Sequence, residues 1–512
     1  MSERQGARQT KASGGRGAGV ISARSFVASL AVLAALMLAA GVLTRLVPAG
    51  SYERSAGADG ALVVVPGSYV ETARPDYPAW RWLTAPFEVL ASEDAALAIV
   101  IIAFIAVVGG AFAAMREAGV LAESVRLLAE RFKARRMALL AVLCLFFMAI
   151  GSFMGVFEEV VPLVPIAIAL SLSFGWDVFA GLGMSILTVG FGFSSAVANP
   201  FSVGTAQRLA GVPMLSGSGF RLVVFACVYA LYLTFMVGYV RRLERKGLGS
   251  TMDRADGSPV SASAYGSGSA GSPGSAGDTG RAGPDQGATS PAAPFVSRGV
   301  RFFGWSALVL AILVLLSSVT RVGADYVLPA IALGFLVIGV GAALAAGVRL
   351  GAVARSFGTG ALGVLPAGLL ILMALSVKRI VVAGGIMDTA LYAASGLMER
   401  ASGYGAAALM YGVVLVMNFF IGSASAKAFL LIPVLAPLAD LTGLSRQLAV
   451  QAFVFGDGFS NMLYPTNAVL LISLGLAGMS WGAWFKKTWR LQLATLALTM
   501  GLLMVAVAIG YA

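Results

Sequence analysis

The sequence predicts an all-α polytopic membrane protein made of two inverted repeats, each with an interrupted transmembrane helix. Three observations predict it. Apolar runs that can cross a bilayer, which takes about 20 residues of helix, recur along the chain. Charge is scarce: 58% of the 512 residues are hydrophobic and 12% are charged, where a soluble domain carries about 25% charged residues. A Gly- and Ser-rich motif occurs twice, 266 residues apart (460 − 194).

The clearest runs are 28–47, 95–115, 220–239, 303–318, 326–346 and 491–508. Their flanking charges set a topology, because short loops rich in Lys and Arg stay inside. Residues 1–23 read as a cytoplasmic tail with Arg4, Arg8, Lys11 and Arg16. The apolar run after Arg24 is longer than a signal-peptide core, so it opens a first membrane half, 24–246. Residues 49–88 lie outside. A second span, about 92–114, returns to Arg126, Arg131, Lys133, Arg135 and Arg136. Within 122–136, Val125, Leu128 and Phe132 share one face, which suits a helix lying at the interface. Residues 137–174 hold two spans or one helical hairpin. Residues 178–210 cross outward with a break at Asn199-Pro200, and 219–240 return to Arg241, Arg242, Arg245 and Lys246.

Residues 247–297 lack the apolar residues a core needs and read as a disordered cytoplasmic linker, a tether without chemistry. The second half, 298–512, starts with two spans. A hairpin-like stretch follows at 404–441, then an interrupted crossing at 446–478 and a last span. Lys378 and Arg379 fit this tracing least, because they fall near the outer side. The expected location is a cell membrane (the cytoplasmic or inner one), with the N-terminus in the cytoplasm.

Composition also excludes functions. The net charge of +12 sits in clusters beside apolar runs and forms no basic-aromatic stripe, so no nucleic-acid partner is expected. Cys144 and Cys227 lie inside apolar runs, without disulfide-scaffold or metal-ligand spacing. Histidine is absent, which removes the usual proton shuttle and triad base. Ser194 and Ser195 have no such base beside them, and no phosphate-loop motif GxxxxGK[ST] exists. The chain does not read as an enzyme, and any proton step falls to carboxylates or lysine.

The repeat is the most specific signal. Gly190-Phe-Gly-Phe-Ser-Ser195 matches Gly456-Asp-Gly-Phe-Ser-Asn461, and Asn199-Pro200 is followed in the second copy by Tyr464-Pro-Thr-Asn467. Pro165 matches Pro433 and Gly175 matches Gly443, 268 apart (443 − 175). Leu209-Ala-Gly211 matches Leu476-Ala-Gly478, 267 apart (478 − 211). On the traced topology the copies run in opposite directions, the sequence pointer to a transporter site near the midplane. A helix broken in hydrocarbon exposes N–H and C=O groups, so it must line a cavity, where its ends bind ions and charged solutes.

The residues also resemble a known family. Phe455-Gly-Asp-Gly-Phe-Ser-Asn-Met-Leu-Tyr-Pro-Thr-Asn467, with Ala436-Pro-Leu-Ala-Asp440 before it, is similar to the second-half signature of the YfcC-like transporters. Glu158-Glu159 and Ser195-Ala-Val-Ala-Asn-Pro200 resemble the first-half signature, and Leu46-Val-Pro-Ala-Gly-Ser-Tyr-Glu-Arg54 is similar too. These proteins stand with the anaerobic C4-dicarboxylate carriers in the ion-transporter superfamily. The resemblance implies re-entrant hairpins at about 137–174 and 404–441 and broken helices at about 178–210 and 446–478. It also implies a scaffold that forms a homodimer, and a unit that moves like an elevator.

Candidate substrate- and ion-binding residues are Ser152, Glu158, Glu159, Ser194, Ser195, Asn199 and Pro200 in the first half. In the second they are Ser423, Ser425, Lys427, Asp457, Ser460, Asn461, Pro465, Thr466 and Asn467. Ionisable groups inside a membrane are functional by default. Glu158, Glu159 and Asp457 suit a cation and Lys427 suits a carboxylate; the bland alternative is a Glu159–Lys427 pair locking the hairpins together. Asp177 and Asp440 read as helix caps. The expected function is secondary active transport of a small organic ion, a C4-dicarboxylate or an amino acid, ion-coupled or exchanging. The alternatives are a basic amino acid antiporter of arginine/ornithine type and an uncoupled channel. No organic cofactor is expected; Na+ or H+ is the candidate coupling ion, with Ser194, Asn199, Ser460 and Asn467 as the sodium ligands.

Overall fold

The computed structural model describes residues 23–56, 62–246, 294–320, 327–401 and 403–511. The expected tail through residue 22, and the expected linker from 247 through 293, lie outside the described residues. Hydrocarbon leaves the backbone no partner but itself, and the apolar runs are accordingly helical. Among the described residues, nine helices are long and apolar enough to cross a membrane.

One group of helices packs around α3 (Ala95–Glu117) and α13 (Leu350–Ala383). Against them lie α1 (Ala23–Leu46), the short α2 (Arg81–Glu88) and α12 (Val327–Ala345), with α11 (Pro294–Thr320) packed on α12. α11 begins four residues before the expected boundary at 298, because Pro294 fits the first helical position, where its missing N–H costs nothing. Close approach between α3 and α13 rests on small residues: a Cβ on Gly360 would come within 2.5 Å of the Gly109 carbonyl oxygen.

α13 has 34 residues, about 51 Å at 1.5 Å per residue, and its far end carries Lys378 and Arg379. The two misfit charges have counterions. Lys378 pairs with Asp94 at 2.7 Å, and Arg379 lies 4.0 Å from Glu88.

The described fold is helical, as expected, with one small addition. The segment after α1 forms two short antiparallel pairs, β1 (Gly50–Ser51) with β4 (Val70–Glu71) and β2 (Arg54–Ala56) with β3 (Leu62–Val64). Outside hydrocarbon a two-stranded ribbon can hydrate its edges, and Val63 and Val64 favour the extended backbone. The ribbon is pinned to α14 (Met387–Met398): Arg54 donates to both oxygens of Asp388 at 2.9 Å, and the Tyr52 N–H donates to Oδ2 at 3.0 Å. Asp388 is thus an anchor for the ribbon.

α4 (Val120–Phe132) is the amphipathic helix, with Val120, Leu121 and Val125 buried. It packs on α11 and on α6 (Val164–Ser173). A second group of helices comprises α5 (Arg136–Ala149), α6, α7 (Val178–Leu182), α8 (Thr188–Ser194), α9 (Thr205–Ala210) and α10 (Ser218–Lys246). It is completed by α15 (Gly403–Phe420), α16 (Ala424–Leu441), α17 (Arg446–Asp457), α18 (Ala468–Ala477) and α19 (Trp481–Ala508). The groups meet chiefly along α13–α18 and α4–α6.

Candidate functional site

The two Gly/Ser motifs lie at matched interruptions. In the first half, α5 runs into a π-helical turn, Ile150–Met154, and the chain reverses at Gly155 (φ 72°). It continues as a 3-10 segment, Glu158–Leu163, into α6. α7, a π turn (Gly183–Leu187) and α8 form one helix that stops at Ser194; a second π turn, Pro200–Gly204, restarts it into α9. In the second half, α15 and α16 are joined by 421–423, and α17 and α18 are separated by 458–467.

Residues that share an offset share local geometry. Gly175 and Gly443 are both left-handed (φ 77° and 71°), as are Gly211 and Gly478 (67° and 66°). Asn199 and Asn467 each cap the segment after the break: the Asn199 Oδ1 accepts from the Phe201 and Ser202 N–H groups, and the Asn467 Oδ1 accepts from Leu470. The motif glycines permit close packing. A Cβ on Gly458 would fall on the Ser194 backbone, so the two breaks touch.

The first break hangs on Ser152. Its carbonyl accepts from the N–H groups of Val197, Ala198 and Asn199 at 3.0, 3.3 and 3.1 Å. Its hydroxyl donates to the Ser195 carbonyl at 2.6 Å. The expectation of free backbone groups is therefore not met in this conformation; the chain satisfies them itself. The second break is wound into turns, and Trp481 and Trp484 donate to the Leu463 and Met462 carbonyls at 3.0 and 2.7 Å.

The charged centre lies in the second half. Lys427, in the first turn of α16, and Asp457, the last residue of α17, form an ion pair at 2.7 Å with side chains 0% and 1% exposed. The ammonium also donates to the Asn418 Oδ1 and, at 3.1 Å, to the Ile421 carbonyl. Asn418 in turn donates to Ser460 Oγ (2.6 Å) and Asn461 Oδ1 (3.0 Å), and Asn467 also donates to Asn461 (3.1 Å). Asp457 accepts no well-aligned hydrogen bond, and its buried Oδ2 has no partner. A Glu159–Lys427 pair is thus corrected to Asp457–Lys427. The Glu159 Oε2 accepts instead from the Phe157 N–H, at 2.9 Å, within its own turn.

Glu158 and Glu159 are half-buried at the start of the 3-10 segment. Ser423 caps α16, Ser425 donates to the Phe201 carbonyl across the halves (3.2 Å), and Thr466 donates to the Phe419 carbonyl (2.6 Å). Pro200 and Pro465 stand at the breaks. The four expected sodium ligands are engaged: the Ser194 hydroxyl donates to Gly190 and Ser460 to Gly456, while both asparagine oxygens serve as caps. Asp177 caps α7 through the Ala180 N–H, as expected, and also pairs with Lys487 at 2.8 Å. Asp440 does not cap a helix; it pairs with Arg446 at 2.7 Å, and Ser445 caps α17.

Two functional candidates escaped sequence reasoning. Asn418 is one polar residue in an apolar helix, and its position inside a membrane was the available signal. Arg221 lies at the start of a span, where it reads as a loop charge. It is 1% exposed; its Nε donates to the Val197 carbonyl (3.0 Å), its Nη1 to the Tyr511 hydroxyl (3.3 Å), and its Nη2 to nothing.

Removing either capping amide deletes a cap worth about 1 kcal/mol and loosens a break. Asn199→Ala and Asn467→Ala are each expected to abolish transport while leaving folded, slightly less stable protein, measured as uptake and as the thermal midpoint in detergent. Full uptake by both variants would remove the breaks from the site.

The family model for the C4-dicarboxylate anaerobic carrier, DcuC, matches residues 26–263 and 302–508. YfcC of Escherichia coli strain K12, a protein named for basic amino acid antiport, is 29% identical over 414 residues, 78% of this chain and 76% of YfcC. An uncharacterized protein of Haemophilus influenzae is 24% identical over 406 residues, 76% of this chain and 72% of the relative. The YdaH transporter of Alcanivorax borkumensis aligns over 95% of this chain and 98% of its own at 18% identity, with a TM-score of 0.38.

Proposed function

The chain belongs to the C4-dicarboxylate anaerobic carrier family, and we propose that it is a secondary active transporter that exchanges small organic acids, C4-dicarboxylates first, across a cell membrane. One observation carries the substrate class: a fully buried ammonium, Lys427, beside the second break. A charge-assisted hydrogen bond to a solute carboxylate is among the stronger polar contacts a site can offer. Such a carboxylate would compete with Asp457 for the same ammonium. The matched glycines and asparagine caps, with the opposite traced directions of the copies, support an inverted repeat. The division into two helix groups supports a scaffold and a moving unit, with two copies joined through the scaffold.

A second reading, antiport of a basic amino acid, is favoured by Glu158 and Glu159 and by the likeness to YfcC. Counterflow decides between them. Proteoliposomes loaded with unlabelled succinate are expected to take up labelled succinate several-fold faster than empty ones, a trans-acceleration that a channel does not show. Acceleration by arginine and not by succinate would transfer the function to the second reading. Uptake without trans-acceleration would overturn the carrier.

A further inference from the structure

We propose that the Lys427 ammonium is a built-in counter-cation that fills the cation site of the second half, so that this half binds no free sodium ion. The geometry is that of a cation in an oxygen cage. Three oxygens surround Nζ: the Asn418 amide oxygen and the Ile421 carbonyl accept its N–H groups, and Asp457 Oδ1 stands beside it as the ion-pair partner. A carboxylate, an amide oxygen and a backbone carbonyl are also the oxygen donors that hard cations take. These three come from α17, from α15 and from the hairpin turn, so the ammonium ties the break to the hairpin.

The helix ends show that the pair does not serve the helices themselves. A helix N-terminus disfavours a cation and a C-terminus an anion. Lys427 lies in the first turn of α16 and Asp457 ends α17, so each charge belongs to the end that disfavours it. Both are buried, so neither survives without the other. The motif side-chain oxygens beside the cage are taken: Ser460 by Gly456 and Asn418, Asn467 by Leu470, and Asn461 by two amides. Asp457 Oδ2 is buried without a hydrogen-bond partner, and the Lys427 ammonium already stands on the other oxygen of that carboxylate. The first half carries no such ammonium, since the aligned residue is Glu159, 268 positions earlier (427 − 159).

The inference rests on the carrier reading for its consequence in transport, but its cation readout does not. Lys427→Ala empties the cage and leaves Asp457 without its cation, and small cations should then bind in the vacated space. In detergent, the thermal midpoint of the full-length Lys427→Ala protein is expected to rise by about 3 °C or more when choline is replaced by sodium or methylammonium. The unaltered protein should move by less. The double variant Lys427→Met/Asp457→Asn, neutral by construction, should not respond beyond the unaltered protein. Should the single variant be recoverable only in sodium or methylammonium, the same result is read at purification. In proteoliposomes, succinate counterflow by Lys427→Ala should fall at least tenfold in choline and recover with saturable dependence on sodium. The inference is overturned if Lys427→Ala shows no cation-dependent stabilisation, or is recovered in no cation while the double variant is recovered. If succinate is not carried at all, the stabilisation still decides the cation site and only the proposed function fails.

Discussion

Replacing Gly458 by valine is expected to stop transport and to lower stability sharply. Gly458 has a negative φ of −80°, so no left-handed backbone is involved. A Cβ there would land on the Cα and N of Ser194, main-chain atoms at the end of the opposite broken helix. A flexible side chain could swing aside, but a backbone cannot. Overpacking a core costs about 1–3 kcal/mol where neighbours relax, and here relaxation means separating the two breaks. Gly458→Ala should already lower the thermal midpoint and uptake together. Ser194→Gly should not rescue it, because the collision is with main chain. The control is Gly501→Ala in α19, where a Cβ meets nothing within 4 Å. That change should add about 0.5–1 kcal/mol of helix stability and leave uptake intact. Equal midpoints for the two alanine variants would show that the breaks do not touch.

The second large effect concerns the ion pair. Lys427→Met alone, or Asp457→Asn alone, leaves one buried charge without a partner, which costs about 3–5 kcal/mol. The double variant removes both and is expected to recover most of that loss in thermal unfolding, because an apolar replacement of a buried pair is often neutral. Strongly non-additive midpoints would assign the contact its coupling energy. Additive midpoints would mean that the two charges find other partners in the folded protein.

How much of this was legible in the sequence depends on the kind of information each residue carries. The run 28–47 became α1 and 491–508 lies in α19, because twenty apolar residues admit one solution in hydrocarbon. Asn199 and Asn467 could be found because a repeat states the same local requirement twice, and both cap the segment after a break. The repeat misled on Lys427, since an alignment relates it to Glu159 while contact relates it to Asp457. Charge signs alone placed both ions in the site but not on each other. Asn418 has no counterpart to flag it, and its role emerges only when Lys427 of α16 and the break after α17 converge on its amide. The ribbon within 50–71 was missed because two- and three-residue strands are too short to show a period.

The covalent attachment of Lys427 also sets how such a carrier meets the membrane voltage. A free coupling ion carries its charge through the field in every cycle, worth about 2.3 kcal/mol per elementary charge per 100 mV. A lysine that travels with Asp457 takes its counter-charge along, so the pair contributes no net charge movement. Exchange of one dianion for another would then move no net charge over a full cycle, and the solute gradients alone would set its direction.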